Sequence, residues 1–140
     1  MFHRILVAND GSDCAVKALR VAVDLAQKYR AELHQLSVEE HLPHYAATVG
    51  EVLEKQLEEE RYFERVAEES KQIADQADIK LMCYILPGHE VETIVRFAEE
   101  HKFDLLVIGH VGHSKIWRFR MGSTASRIAD SVKCSLLVVQ

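Results

Sequence analysis

The chain has 140 residues, 48% of them hydrophobic, which suffices for one buried core and is short for two, so a single domain over residues 1–140 is expected. A formal net charge of -5 gives no overall attraction for a nucleic-acid backbone, and no run approaches the roughly 18 apolar residues of a membrane span. Neither nucleic acid nor membrane is therefore an expected partner.

The opening Met1-Phe2-His3-Arg4 leads straight into Ile5-Leu6-Val7-Ala8, without the long apolar stretch and cleavage site of a signal peptide. Cys14, Cys83 and Cys134 are far apart, odd in number and free of any CxxC pattern, so they read as reduced thiols in a cytoplasmic protein.

Taken in chain order, short apolar runs alternate with stretches of helical spacing. The runs are Arg4 to Ala8, Leu33 to Val38, Ile79 to Leu86, Asp104 to Gly109 and Cys134 to Val139. Near-continuous runs of this kind mark strands buried on both faces. After the first run, Ala15, Ala18, Leu19, Ala22, Leu25, Ala26 and Tyr29 form one helical stripe, with Ser12 and Asp13 as N-cap chemistry.

After the second run comes an irregular connection, 41–50. Val49 to Ala77 then reads as one long amphipathic helix, with Val52, Leu53, Leu57, Phe63, Val66, Ala67, Ile73 and Ala74 on one side. Glu58, Glu59, Glu68 and Glu69 face elsewhere, as a solvated acidic surface. A third helix groups Val91, Ile94, Val95 and Ala98, and a fourth groups Ala125, Ile128, Ala129 and Val132. The expected fold is α/β: a doubly wound, Rossmann-like sandwich of five parallel strands and four helices. Such folds bind ligands beyond the carboxyl ends of the strands, where the strand order reverses.

The loops after the first and fourth runs carry the candidate chemistry. The first reads Ala8-Asn9-Asp10-Gly11-Ser12; the second reads Gly109-His110-Val111-Gly112-His113-Ser114-Lys115 and continues to Gly122-Ser123-Thr124. Glycines admit a phosphate close to the backbone, and the free N–H groups of a helix start favour an anion. Lys115, Arg118 and Arg120 make a local basic patch suited to a small anion, with Trp117 and Phe119 expected to pack under the loop or against a partner subunit. A Walker A loop and a dinucleotide fingerprint are both absent.

His110 with His113, and His41 with His44, lack further ligands at metal spacing, so no metal site is expected; His3, His34, His89 and His101 read as surface or strand-edge residues. Asp10 reads both as a carboxylate at a helix start and as a group orienting a nucleotide or its magnesium ion. No catalytic triad or carboxylate pair is assigned by spacing.

The interval from Gly109 through Gly112 to Gly122-Ser123 resembles the nucleotide signature of the universal stress protein family, as do the opening Arg4 to Ser12 and the closing Cys134 to Val139. The resemblance runs the length of the chain. It implies a site for ATP or another adenine nucleotide, with Mg2+: Ala8, Asn9 and Asp10 would border the nucleotide, and the backbone of Val38 would meet the adenine. Gly109, His110, Val111, Gly112, His113, Ser114 and Lys115 would wrap the ribose and phosphates, and Gly122, Ser123, Thr124 and Ala125 would close the phosphate end.

The chain departs from the family pattern at Ala8 and Asn9, where Pro then Val or Thr is typical, at Ala125, where a hydroxyl residue is common, and at Ser135, where Pro is usual. The resemblance further implies a homodimer through the C-terminal strand. The expected function is an ATP-binding stress-response module with slow hydrolysis at most; the alternatives are a small ATP-hydrolysing or phosphotransfer enzyme using His113, Lys115 and Asp10, and a partner-binding member that has lost nucleotide.

Overall fold

The computed structural model describes residues 1–40, 48–111 and 122–140. Strands β1 (Arg4–Ala8), β2 (Glu32–Glu39), β3 (Leu81–Pro87), β4 (Leu105–Gly109) and β5 (Ser135–Val139) alternate with helices α1 (Asp13–Tyr29), α2 (Val49–Gln76), α3 (Glu90–Glu100) and α4 (Ser123–Ser131). All strand pairs are parallel, in the order β3-β2-β1-β4-β5. The chain winds outward from β1 to β3, then returns to the other side of β1 with β4. The order therefore reverses between β1 and β4, and that crevice opens at the carboxyl ends of the central strands.

The alternation of side chains along each strand divides the core in two. Ile5, Val7, Leu33, Leu105 and Val107 pack under α1 and the C-terminal part of α2, against Ala18, Leu19, Ala22, Ala26 and Ala74. Leu6, Leu36, Leu106 and Ile108 pack on the other face against Val91, Ile94, Phe97 and Ala98 of α3 and Ala125 and Ile128 of α4. Each large apolar side chain removed from water in this way contributes about 1.5–3 kcal/mol.

Two sequence expectations change. In α2 the buried residues are Val66, Ser70 and Ala74, while Val49, Leu53 and Leu57 are exposed. At 3.6 residues per turn Leu57 sits roughly opposite Val66 around the helix, so Leu53 and Leu57 face away from the buried side instead of continuing its stripe.

His34 is the second change: it is buried, at 4% exposure, rather than placed at a surface or strand edge. Its even register turns it to the α3 side. There its ring meets Phe103 edge-on at 5.0 Å and stacks at 5.8 Å on Tyr84, whose hydroxyl lies 3.1 Å from Nδ1. Nε2 has no hydrogen-bond partner among the described residues, and it stands 4.0 Å from the Glu32 carboxylate that pairs with Arg4.

Candidate functional site

The turn after β1 is built from its own polar side chains. Asn9 is 2% exposed, and its odd register turns the side chain beneath α2. The Nδ2 group donates to Gln35 Oε1 at 3.0 Å and to Ser70 Oγ at 3.1 Å, while Oδ1 accepts the Gly11 N–H at 2.8 Å. The Asn9 N–H donates to the Leu36 carbonyl at 3.0 Å, and its own carbonyl accepts the Ser37 hydroxyl at 2.7 Å. Every polar group of Asn9 is thus engaged inside the fold, and its side chain belongs to the scaffold of the turn.

Asp10 follows with Oδ1 accepting the Ser12 N–H at 2.9 Å, and Ser12 caps α1 by accepting the Ala15 N–H at 3.3 Å. These two local bonds close the turn and satisfy a donor that a helix start otherwise leaves open.

The region after β4 lies alongside. A Cβ built on Gly109 would come within 2.9 Å of the Cys14 carbonyl carbon and of Cys14 Cβ, and 3.1 Å from the Ala15 nitrogen. Gly109 therefore has a packing reason: only a residue without a side chain lets the first turn of α1 lie against the end of β4. Beyond it, the His110 N–H donates to the Val139 carbonyl at 2.7 Å and the His110 carbonyl accepts the Gly122 N–H at 2.9 Å. That last bond brings the start of α4 back to the end of β4.

Gly122 is the N-cap of α4 and offers no side-chain cap; the first bond of the helix runs from the Ser126 N–H to the Gly122 carbonyl at 3.0 Å. The N–H groups of Ser123, Thr124 and Ala125 consequently have no partner within the helix, at its positive dipole end. The Ala125 side chain is buried among the α3-side core, so this residue can address a ligand only through its backbone.

Of the residues singled out in sequence, Ala8, Asn9, Asp10, Gly109, His110, Val111, Gly122, Ser123, Thr124 and Ala125 gather at this one edge. Val38 stands near the end of β2, paired with Leu86 of β3, its side chain half-buried on the α3 side. Gly112, His113, Ser114 and Lys115 lie outside the described residues, as do His41, His44, Trp117, Arg118, Phe119 and Arg120.

Tyr62 of α2 was not singled out. Its hydroxyl donates to the Asp10 carbonyl at 2.7 Å. Burial, with the Asp10 and Glu69 carboxylates, pushes its phenol above the ordinary value, Arg65 opposing, so it stays a protonated donor. Inside a long amphipathic helix a tyrosine has no distinctive spacing, so nothing in the sequence marks it.

The model of the universal stress protein family matches residues 1–140. The chain belongs to that family. A universal stress protein of Methanocaldococcus jannaschii is 29% identical over 143 residues, covering all of this chain and 83% of that protein. Among solved structures, the universal stress protein UspA from Lactobacillus plantarum is 29% identical with a TM-score of 0.89, over 99% of this chain and 98% of that one. A universal stress protein solved in complex with cAMP is 26% identical with a TM-score of 0.77, over 99% and 97% of the two chains. The universal stress protein fold and the five-stranded parallel sheet with four helices agree. No described helix is long and apolar enough to cross a membrane.

Proposed function

We propose that this universal stress protein, acting as one unit over residues 1–140, holds ATP with Mg2+ in the crevice between the turn after β1 and the start of α4. The observation that carries this reading is the uncapped start of α4: three successive backbone N–H groups, Ser123 to Ala125, without helical partners, behind a cap residue that has no side chain. A phosphate fits such a start, because the N–H groups and the helix dipole favour the anion together. The cAMP bound by a relative 26% identical supports an adenine nucleotide as the class of ligand.

Val38 and the turn residues Ala8 to Asp10 would border the base and ribose, Gly109 to Lys115 the ribose and phosphates, and Gly122 to Ala125 the terminal phosphates. The Asp10 carboxylate stands at the same edge, and Mg2+ is commonly held by one or two carboxylates together with phosphate oxygens rather than by an all-protein cage. The departures at Asn9 and Ala125 are compatible with this reading, since both side chains are engaged in the fold and a ligand would meet their backbone. The protein then works as an occupied or empty module.

Mass spectrometry of gently denatured protein, beside calorimetric titration with Mg2+ and ATP, tests the reading; an adenine nucleotide released in near-stoichiometric amount is expected. Protein that carries no nucleotide and takes up none in the titration would overturn it. A second copy is the partner proposed for β5, an apolar, half-buried edge strand paired on one side with β4, since such an edge is a template for another strand. Sedimentation at micromolar concentration is expected to give twice the 16.0 kDa chain mass.

A further inference from the structure

One peptide unit in the β1–α1 turn is gripped from both sides. Its N–H, that of Gly11, donates to Asn9 Oδ1 at 2.8 Å; its carbonyl, that of Asp10, accepts the Tyr62 hydroxyl at 2.7 Å. The residue that follows has φ +83°, and a Cβ there would fall 2.1 Å from the Tyr62 oxygen and 2.9 Å from both Tyr62 Cζ and Val66 Cγ2. Glycine at such a position gives the turn its shape but also the freedom to leave it, because the flanking peptide plane can flip at little steric cost. A flip would break both bonds at once and rotate the backbone next to the Asp10 side chain.

The Asn9 grip comes from within the turn, itself tied to Gln35 and Ser70. The other grip comes from a separate helix. Tyr62 is steadied by the edge-to-face contact of its ring with Phe63 at 5.0 Å.

We propose that Tyr62 is a positioning residue for the nucleotide turn: its hydroxyl locks the Asp10–Gly11 peptide plane, so that α2 holds the turn in its binding shape before a ligand arrives. The inference rests on the nucleotide reading above for its functional consequence, and on the hydrogen bonds alone for the lock itself. A turn already fixed in its bound shape loses less freedom on binding, and the saving appears as affinity.

The test compares Tyr62→Phe, which keeps the ring and removes the hydroxyl, with Ile73→Val, which loosens α2 packing on the core about three helical turns away from Tyr62. In ligand-free protein, amide exchange at Gly11 and Ser12, measured by NMR against Leu106 in the core, is expected to speed up about tenfold or more in Tyr62→Phe and to stay at the parent value in Ile73→Val. Unchanged exchange in Tyr62→Phe, or equal acceleration in both variants, overturns the lock.

Titration with Mg2+ and ATP is expected to show binding about three- to tenfold weaker in Tyr62→Phe, the range one net hydrogen bond supports, and unchanged in Ile73→Val. Parent-like affinity in Tyr62→Phe despite faster exchange overturns the positioning role. Should the parent itself bind no ATP, the nucleotide reading fails, and the exchange data still decide whether the lock exists.

Discussion

Two helices, α1 and α4, start at the same carboxyl edge on opposite faces of the sheet, and they start in opposite ways. The first turn of α1 is closed: Ser12 caps it, the Asp10 carboxylate takes the Ser12 N–H, and Asn9 takes that of Gly11. The first turn of α4 is open, with Gly122 at its cap and three backbone donors beyond it. The same kind of backbone end is thus spent on shape in one place and left available in the other. A closed start fixes where the crevice is, and an open one supplies the attraction for an anion.

The joint between the two starts should show the largest effect. Gly109→Val drives side-chain atoms into the backbone of Cys14 and Ala15, and overpacking against main chain leaves no rotamer to escape through. Loss of about 3 kcal/mol or more, or no folded protein at all, is expected in a denaturant melt. Gly122→Val attacks only the open start. Its Cβ would stand 3.3 Å from the His110 carbonyl oxygen, a contact that small local shifts relieve, so the fold should survive. ATP binding should weaken about tenfold or more, or about 1.4 kcal/mol, in a calorimetric titration. A variant that melts normally and binds like the parent would remove the phosphate from this helix start.

Ser12→Ala attacks only the closed start. It should lower stability by about 1 kcal/mol, the usual worth of a helix cap, and leave affinity within about twofold. An affinity loss as large as that of Gly122→Val would erase the distinction between the two starts.

The smallest effect belongs to the opposite edge of the sheet, where no ligand is proposed. Burial, then the Arg4 charge, lowers the pKa of His34 below its ordinary 6.5, with Glu32 opposing and His101 assisting. The unfolded chain therefore takes up the proton first, so this contribution to stability is fully present above about pH 6.5 and is lost as pH falls through the lower folded-state value. Melts across that window should show His34→Leu losing less stability on acidification than the parent, with ATP affinity unaffected.

The architecture could be read from the sequence because buried parallel strands and their covering helices differ so clearly in period: Arg4 to Ala8 and the stripe from Ala15 to Ala26 permit little else. The strand ends moved by a residue or two, as in Glu32–Glu39 against the expected Leu33 to Val38. The candidate site was legible as a pair of glycine-bearing turns, but the division of labour within it was not.

Beside the ligand role proposed for each, Gly109 is required by the approach of α1, and Asn9 holds the turn from below. Both functions depend on residues distant in sequence, Cys14 in one case and Gln35 and Ser70 in the other. Spacing along the chain carries no trace of such contacts. His34 escaped for the same reason, since its burial is decided by Phe103 and Tyr84.

The length of α2 has a mechanical consequence. The helix is anchored to the core from Val66 onward and to the turn at Tyr62, while the stretch from Val49 to Arg61 runs on for about 20 Å with Val49, Leu53 and Leu57 on its outer side. Tyr62 then stands about 20 Å along the helix from its N-terminal tip, as a fulcrum stands on a lever. A tilt of about 5° there carries the far tip by close to about 2 Å, so a change too small to notice at the turn becomes a displacement of apolar side chains at the surface.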